Sequence, residues 1–309
     1  MKKDNIIIVT GGGGFIGSKL VEKLVELGKN VIVIDNFSTG KFKNLKKSLS
    51  RIELIIDDIG NYENLLRKLK SYRKNTNYIF HLAALPRMER SIERTKETHQ
   101  SNVHGIFGAL ELAKFLGAKK LIYTSSSSVY GIQKKNPLSE NLIPNPQNPY
   151  AAQKLIGEIY CDIYSKVFGI PVVSLRLFNV YGSGMDGKGA YKLVFTKWIE
   201  QMNKKVPLTI YGDGNQTRDF THISDVTSVL LKAMDFKQKK SHEIINIGSG
   251  KQVTINYLAE LFKRKTINLE SRRFEERFKQ ADIKKAKRLL SYTPLVTIEE
   301  GVAQLLKLK

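Results

Sequence analysis

A tyrosine and a lysine four positions apart are the residues of this sequence best suited to acid–base chemistry. Tyr150 and Lys154 lie in the segment NPYAAQK at positions 148–154, where a proline precedes an amphipathic stretch and indicates the first turn of a helix. This spacing places the phenol and the ammonium on one face of the helix. A nearby positive charge lowers the pKa of a phenol from about 10, so Tyr150 is predicted to act as a general base. Such a pair alone is usually a surface pair, so this interpretation depends on the neighbouring motifs.

A run of four serines follows an apolar segment that is predicted to be a strand. The sequence LIYTSSSSVYG occupies positions 121–131, so the strand predicted at 120–125 ends in hydroxyl groups. Ligands of open α/β sheets bind at the carboxyl edge of the strands. We therefore expect the serines to belong to the same site as the tyrosine and the lysine.

Three glycines with regular spacing predict a dinucleotide site. Gly11, Gly14 and Gly17 stand between a predicted strand at 6–10 and a predicted helix at 18–27. This spacing permits a tight turn, a close approach of the backbone to a pyrophosphate, and close packing of helix on strand. The phosphates would lie at the helix N-terminus, where free N–H groups and the helix dipole favour negative charge. Glycine runs also form plain turns, so the residues around the motif decide its meaning.

An acidic residue at the end of the second predicted strand indicates which dinucleotide binds. Asp35 stands 24 positions after Gly11. A carboxylate at that place accepts hydrogen bonds from the adenosine ribose and repels a 2′-phosphate, which favours NAD over NADP. The alternative for Asp35 is a helix cap or an Asx-turn. Asp58, just past the third predicted strand, is either an adenine partner or a surface acid.

The order of apolar segments predicts a parallel α/β sheet. The first 180 residues alternate short apolar runs with longer amphipathic ones. We expect an NAD-binding domain over 1–179, a mainly substrate-binding lobe over 180–309, and a return of 225–247 to the first domain. The predicted strands are 6–10, 31–35, 54–57, 78–83, 120–125 and 171–178. The predicted helices are 18–27, 61–69, 101–116, 151–168, 194–203 and 225–234, with one more strand at 244–247.

Composition excludes several classes of protein. The 309 residues contain one cysteine, Cys161, which excludes an internal disulfide framework and fits a reducing compartment. The apolar run near the N-terminus is too short for a signal peptide, and no segment approaches a membrane span, so a cytoplasmic enzyme is expected. The net charge of +22 raises the possibility of nucleic-acid binding, but the lysines are scattered rather than interleaved with aromatic residues. The histidines show no metal-ligand spacing, so no metal is predicted.

The motifs together resemble one enzyme family over nearly the whole chain. In chain order they read TGGGGFIGS, DNFSTG, HLAA, NVHG, SSSSVYG, PYAAQK, LRLFNVYG, IYGDGNQTRDF, INIGSG and ADIKKAKRLL. The sequence is similar to extended short-chain dehydrogenases/reductases, and within them to nucleotide-sugar 4-epimerases of the UDP-glucose type. That resemblance implies a Rossmann-like, doubly wound parallel sheet with a smaller α/β substrate-binding lobe on its C-terminal side.

The resemblance also implies roles for the catalytic residues. Ser126 corresponds to the catalytic hydroxyl, Tyr150 to the base that takes the proton of the C4 hydroxyl, and Lys154 to the residue that holds the nicotinamide ribose. A 4-keto sugar would turn over in the site while NAD is regenerated and stays bound. Related dehydratases carry Asp and Glu at the positions of Ser127 and Ser128, and related decarboxylases also use an acid there. Both reactions are therefore disfavoured.

Binding residues follow from the same resemblance. The implied cofactor residues are Gly11, Gly14, Phe15, Ile16, Gly17, Asp35, Asn36, Ser38, Gly40, Asp58, Ile59, Leu82, Ala83, Ala84, Asn102, Ser125, Tyr150, Lys154 and Val180. The implied residues of the UDP-sugar site are Arg87, Ser126, Ser127, Tyr150, Asn179, Leu193, Arg218 and Arg272.

The arginines and one lysine of the substrate lobe leave the choice of sugar open. Two guanidinium groups, from Arg218 and Arg272, suit a diphosphate because each can donate to two phosphate oxygens. The register at Arg272 could slip to Arg273 or Arg277, since the run RRFEER departs from the family pattern. Lys279 stands near the gate residue of relatives and either pairs with a sugar carboxylate or, as we expect, points at solvent. Glucose, N-acetylglucosamine and glucuronate derivatives all remain candidates.

Two alternatives compete with an epimerase, and one assembly is expected. The first is a nucleotide-sugar reductase or dehydrogenase on the same scaffold, which would consume added coenzyme. The second is a catalytically silent NAD-binding regulator on an enzyme fold. As in relatives, a homodimer is expected through the helices at 101–116 and 151–168. No nucleic acid and no membrane is expected as a partner.

Overall fold

The architecture was determined from a computed structural model, which describes residues 4–86, 88–185, 194–271 and 277–307. Its centre is a seven-stranded sheet in which every neighbouring pair of strands is parallel. The sheet strands are β1 (Ile6–Thr10), β2 (Asn30–Asp35), β3 (Ile52–Ile56), β4 (Thr76–His81), β5 (Lys120–Ser126), β6 (Val172–Leu177) and β11 (His242–Ile247).

The strand order places a crevice between two particular strands. Across the sheet the order is β11, β6, β5, β4, β1, β2, β3. The chain therefore winds outward in one direction from β1 and in the other from β4. Loops that leave these two strands separate at their carboxyl ends, and ligands of open α/β sheets bind at such a switch point. The sheet thus positions the segments after Thr10 and after His81 on either side of a cleft.

Helices cover both faces of the sheet. The helices of the first part of the chain are α1 (Phe15–Glu26), α2 (Tyr62–Lys68), α3 (Met88–Glu93), α4 (Thr95–His99), α5 (Gly105–Leu116) and α6 (Pro149–Phe168). A π-helical turn, Gln100–His104, joins α4 to α5. Along β1, Ile7 and Val9 pack in one apolar core with α1, while Ile6 and Ile8 pack in another with α5. Because side chains alternate along a strand, an all-apolar strand needs cover on both faces.

A smaller lobe follows β6 and has its own core. Its strands are β7 (Val180–Tyr181), β8 (Leu208–Tyr211), β9 (Thr217–Arg218), β10 (Thr221–His222), β12 (Val253–Thr254) and β13 (Thr266–Leu269). The remaining helices are α7 (Val194–Asn203), α8 (Ile223–Asp235), α9 (Ile255–Phe262), α10 (Lys284–Leu290) and α11 (Ile298–Lys307). Trp198, Phe195, Leu208, Phe262 and Leu305 are buried together at the centre of this lobe. Helix α8, by contrast, packs against α1 and the central sheet.

The predicted fold class is confirmed, and most predicted elements lie within a few residues of their observed ends. The sheet is parallel, Rossmann-like and doubly wound. The strand predicted at 54–57 is observed at Ile52–Ile56, so its predicted start lies two residues too far along the chain. The helix predicted at 101–116 is regular only from Gly105 onward, since the π-helical turn precedes it. Helices α3, α4, α9, α10 and α11 were not predicted.

Candidate active site

Two glycines of the loop after β1 are packed against backbone too closely for any side chain. Gly11 has φ of +71°, and a Cβ added to it would lie 2.6 Å from the backbone nitrogen of Ala83. A Cβ on Gly17 would lie 2.1 Å from the carbonyl oxygen of Gly11. Helix α1 begins immediately after Gly14 and has no acidic residue in its first turn. The loop therefore leaves an open cradle at a helix N-terminus, which is the geometry that a pyrophosphate requires.

Asp35 is held at the end of β2 by two backbone N–H groups. One carboxylate oxygen accepts from the N–H of Gly13 in the glycine loop, at 2.7 Å. The other accepts from the N–H of Phe37, also at 2.7 Å, so the Asx-turn left open by the sequence is present. Burial raises the pKa of the Asp35 carboxyl, although both hydrogen bonds oppose that shift. Its fixed position beside the glycine loop is compatible with a bond to ribose hydroxyls.

The predicted cofactor residues line one continuous groove across the carboxyl edge of the sheet. Two adjoining hollows share Gly11, Gly14, Leu82 and Ala84. The hollow beside β2 is also lined by Asp35, Asn36, Ser38, Gly40, Asp58, Ile59 and Ala83. The hollow beside β5 is also lined by Phe15, Ile16, Gly17, Ser125, Ser126, Tyr150, Lys154 and Val180.

Two of the predicted cofactor residues are held by side-chain contacts, Asp58 in the groove and Asn102 beside it. Asp58 accepts from the side-chain amide of Asn36 at 2.6 Å and from the N–H of Gly60 at 2.8 Å. Asn102 is 2% exposed and forms two hydrogen bonds with the backbone of Leu85, at 2.7 and 3.2 Å. Its amide also donates to Gln153 on α6, at 2.7 Å. Asn102 therefore ties the segment after β4 to the helix that carries Tyr150.

Ser126, Tyr150 and Lys154 meet at the other end of the groove. Asn148 caps α6 by accepting from the N–H of Ala151 at 3.0 Å, and Pro149 occupies the first turn, where no N–H is needed. The Ser126 hydroxyl, at the end of β5, is close enough to the phenol of Tyr150 to favour its charged form, and it hydrogen-bonds the hydroxyl of Ser128 at 3.1 Å. The Lys154 ammonium donates to the carbonyl of Thr124 at 2.8 Å. The predicted hydroxyl, base and lysine are thus brought together.

Burial dominates the ionisation of this cluster. It raises the pKa of Tyr150 to about 12 and lowers that of Lys154 to about 8. The expectation that Lys154 lowers the phenol pKa is therefore not met in the protein alone, because desolvation of the phenolate outweighs the effect of the Ser126 hydroxyl. His81, at the end of β4, is buried and hydrogen-bonded to the Thr10 hydroxyl at 2.8 Å. Burial lowers its pKa to about 3, so the imidazole is neutral.

Two residues predicted to bind the substrate, Asn179 and Arg218, lie on segments that a hydrogen bond links. Asn179, between β6 and β7, has φ of +22°, and its side-chain amide donates to the carbonyl of Asp219 at 2.8 Å. Arg218, on β9, is half-buried and donates to the carbonyl of Thr217 at 2.8 Å. Ser127 is buried directly after β5. The remaining predicted substrate residues, Arg87, Leu193 and Arg272, lie outside the described residues.

Lys279 and Arg277 lie in the segment that follows the proposed second diphosphate arginine. The expectation that Lys279 points at solvent is wrong, because the residue is 7% exposed. Arg277, one of the possible alternatives to Arg272, is half-exposed and bonded to Asp213 through two nitrogens, at 3.1 and 2.8 Å. That pair holds the pKa of Asp213 low, at about 2.

Several residues of the groove wall were not predicted. Thr124 precedes the serines on β5 and could have been found from its place in that strand. Thr39, Lys41 and Asn44 follow β2, where the sequence shows no regular pattern beyond the glycine at 40. Among the described residues, no group of three or more His, Cys, Asp or Glu is placed to hold a metal ion. Within the same ranges, no helix combines the length and the apolar character needed to span a membrane.

Comparisons with known proteins agree with this geometry. The model of the NAD dependent epimerase/dehydratase family matches residues 7–248. A protein of Methanocaldococcus jannaschii named putative UDP-glucose 4-epimerase is 34% identical over 304 residues, with 96% of each chain covered. The UDP-glucose 4-epimerase of Thermotoga maritima, solved with UDP-glucose, superimposes with a TM-score of 0.91 at 33% identity and covers 98% of this chain and 97% of its own. The UDP-glucuronic acid 4-epimerase of Bacillus cereus, solved with UDP-glucuronic acid and NAD, has a TM-score of 0.86 at 34% identity, with 98% and 100% covered.

Proposed function

Because this chain belongs to the NAD-dependent epimerase/dehydratase family, we propose that it interconverts the C4 epimers of a UDP-sugar. The observation that carries the proposal is the meeting of Ser126, Tyr150 and Lys154 in the groove that contains the glycine loop. A hydroxyl, a phenol and an ammonium at the open end of a dinucleotide cradle suit oxidation and reduction of a carbinol carbon.

The residues of the groove fit NAD. The cradle made by Gly11 and Gly17 has no room for a Cβ, and Asp35 stands where ribose hydroxyls need an acceptor. Bound NAD supplies the hydride acceptor and donor for C4 of the sugar. In this proposal the Tyr150 phenolate takes the proton of the C4 hydroxyl, and Ser126 hydrogen-bonds the same oxygen. The ammonium of Lys154 would hold the nicotinamide ribose, and its charge together with that of the positive nicotinamide would favour the phenolate, which burial alone disfavours.

The balance of the reaction distinguishes an epimerase from its relatives. The 4-keto sugar formed by loss of hydride turns over in the site and receives the hydride on its opposite face, so the cofactor ends unchanged. Ser127 and Ser128 offer hydroxyls where dehydration or decarboxylation would need carboxyl groups. A reductase or dehydrogenase on this scaffold is the second candidate, and it would consume coenzyme in proportion to product. A silent NAD-binding regulator is disfavoured by the intact catalytic cluster.

For the diphosphate and the sugar we propose the substrate residues implied by the sequence. Arg218 and Arg272 would pair with the diphosphate, and Asn179 would contact it. Arg87, Leu193 and Ser127 would line the sugar pocket. The chain resembles enzymes named for glucose and for glucuronic acid at almost equal identity. The identity of the sugar is therefore a question for experiment.

A proton NMR time course on the purified protein tests the proposal. UDP-glucose, UDP-N-acetylglucosamine and UDP-glucuronate are offered separately, with no coenzyme added. We expect conversion of at least one to its C4 epimer and none by Tyr150→Phe, although that variant keeps its bound NAD. Product that forms only with added coenzyme, in equal amount to coenzyme consumed, would favour the dehydrogenase. Full activity in Tyr150→Phe would show that Tyr150 is not the base.

We also propose a cytoplasmic homodimer. The location is supported by a single buried thiol, Cys161. The assembly is supported by an exposed apolar row on α6. Ile159, Ile163 and Val167 are spaced four residues apart and are 51%, 46% and 66% exposed. One helix face with this row suits the bundle expected between two copies.

A further inference from the structure

A buried ion pair lies beneath the catalytic cluster. Glu158 on α6 and Arg176 on β6 are each 2% exposed. The guanidinium donates to both carboxylate oxygens, with Nε to Oε1 at 2.9 Å and Nη2 to Oε2 at 2.7 Å. Desolvation makes such a pair a poor source of stability, and an apolar pair of similar volume often stabilises a protein as well or better. A pair retained at this depth is therefore a candidate for a role other than stability.

The carboxylate makes a third bond, and this bond reaches the catalytic strand. Oε1 of Glu158 accepts from the hydroxyl of Ser125 at 2.5 Å. Ser125 directly precedes Ser126 and is paired with Arg176 across the two strands. One carboxylate thus joins α6 to the carboxyl ends of both β5 and β6. It does so directly beside Ser126, whose hydroxyl is near the phenol of Tyr150.

Glu158 also continues the row of catalytic side chains on α6. Tyr150, Lys154 and Glu158 are four residues apart, so they share one face of the helix. The carboxylate of Glu158 favours the charged form of Lys154, although burial lowers the pKa of Lys154 overall. The other groups around this ammonium are His81, which is neutral, and the ring of Tyr123, whose centroid lies 5.0 Å from Nζ.

The other partner of the pair extends the connection to the loop that follows the serines. The guanidinium of Arg176 lies over the ring of Tyr130, 4.7 Å from its centroid. The Tyr130 hydroxyl donates to the side chain of Asn246 on β11, at 2.7 Å. The pair therefore holds both the strand that ends in Ser126 and the chain segment that comes after it.

We propose that Glu158 is a positioning residue for the reaction, which fixes Ser126 relative to Tyr150 and maintains the positive charge of Lys154. The inference rests on the proposed function. The two halves of the catalytic cluster are on different elements, a strand and a helix, and a hydroxyl and a phenol must stay within hydrogen-bond distance of one substrate oxygen. A displacement of about 1 Å in such a cluster lowers the rate by about a hundredfold.

The test replaces the ion pair by an apolar pair, Glu158→Leu with Arg176→Met in one protein. We expect a melting temperature close to that of the wild type, unchanged NAD content and a similar KM. The kcat is expected to fall at least tenfold. Wild-type kcat in this double variant would overturn the proposal. Where the double variant does not fold, Ser125→Ala removes one bond and leaves the ion pair, and its kcat, measured at full NAD content, must also fall. Wild-type kcat in Ser125→Ala would likewise overturn the proposal.

A second measurement does not require turnover. The pKa of Lys154, read from the NMR signal of its ε-methylene, is compared between the wild type and Glu158→Gln, which removes the carboxylate charge and keeps Arg176. Loss of the neighbouring carboxylate is expected to lower the pKa below its wild-type value, and an unchanged pKa would contradict the proposal. An inactive wild-type protein would reject the proposed function, while the lysine titration would still decide whether Glu158 maintains the charge.

Discussion

The backbone N–H of Tyr150 donates a hydrogen bond to the hydroxyl of Ser91, 3.1 Å away. Ser91 is buried on α3, and its hydroxyl donates in turn to the carbonyl of Met88 at 2.7 Å. The first N–H groups of a helix have no partner within it, and here Asn148 satisfies the N–H of Ala151 while Ser91 satisfies that of Tyr150. The start of the catalytic helix is therefore fixed from the segment that follows β4.

Removal of the Ser91 hydroxyl is predicted to affect catalysis as well as stability. Ser91→Ala leaves the N–H of Tyr150 without its acceptor, at a cost of about 1 kcal/mol in the free energy of unfolding. We expect kcat to fall severalfold because the phenol loses its fixed position. Thr254→Ala is the matched control, since Thr254 caps α9 by accepting from the N–H of Tyr257 at 3.1 Å. Denaturant unfolding and initial rates check both variants, and an equal kcat in the two would refute the prediction.

The depressed pKa of Lys154 predicts how stability depends on pH. Burial lowers this pKa from 10.5 to about 8, so between these values the unfolded chain binds more protons than the folded protein. The free energy of unfolding must then rise with pH in that window, relative to Lys154→Met. The pKa of Tyr150 is raised from 10.0 to about 12, so the titration of this residue changes stability only above pH 10. In NAD-free protein we expect the free energy of unfolding of the wild type, relative to that of Lys154→Met, to grow by roughly 2 kcal/mol from pH 8 to pH 10. A difference in the free energy of unfolding that does not change with pH would show that Lys154 is not desolvated.

Two arginines of the second lobe, Arg218 and Arg277, are expected to differ in how much each contributes to the affinity for UDP. Arg218→Gln removes a charged donor from the proposed diphosphate site, so the Kd of UDP is predicted to rise tenfold to a hundredfold, the size of about 1.5–3 kcal/mol. The control is Arg277→Gln, because Arg277 is already bonded to Asp213 at 2.8 Å and is expected to leave the Kd within about twofold. Titration calorimetry measures both. The reverse pattern would assign the diphosphate to Arg277.

The apolar row on α6 predicts the effect of one charge on assembly. Ile163→Glu introduces a carboxylate at the centre of the row formed with Ile159 and Val167, and burial of that charge in an interface is unfavourable. Light scattering at working concentrations should show a dimer for the wild type and a monomer for the variant. Ile143→Glu is the control, because this isoleucine is 84% exposed and lies outside α6. A monomeric wild-type protein would refute the proposed assembly.

The sequence predicts those parts of the site whose geometry is local. The glycine loop, the strand ending in serines and the helix beginning at Pro149 each occupy one short segment. Backbone restrictions fix such segments: Pro149 has no N–H and suits a first helical turn, and Gly11 has a positive φ. The apolar runs of β1 and β5 are long enough to mark buried strands. Family resemblance then gives these local pieces their chemistry.

Contacts between residues that are distant in the sequence could not be predicted from it. Glu158 and Arg176 are charged, and single charged residues in a sequence are usually exposed. Only the packing of α6 on β6 shows that they meet under the active site. Lys279 was expected to point at solvent because the register of the family motif is uncertain there, yet it is buried. The bond from Tyr150 to Ser91 joins residues 59 positions apart and has no local signature.

Transfer of hydrogen at C4 tests the central claim most directly. The UDP-sugar that is converted in the NMR assay is prepared with deuterium at C4 and incubated with the protein in ordinary water, without added coenzyme. If hydride leaves C4 and returns to it within one site, both epimers keep the deuterium at C4 and the medium gains none. Replacement of the label by solvent hydrogen during epimerisation would contradict the account, because C4 would then be deprotonated rather than oxidised.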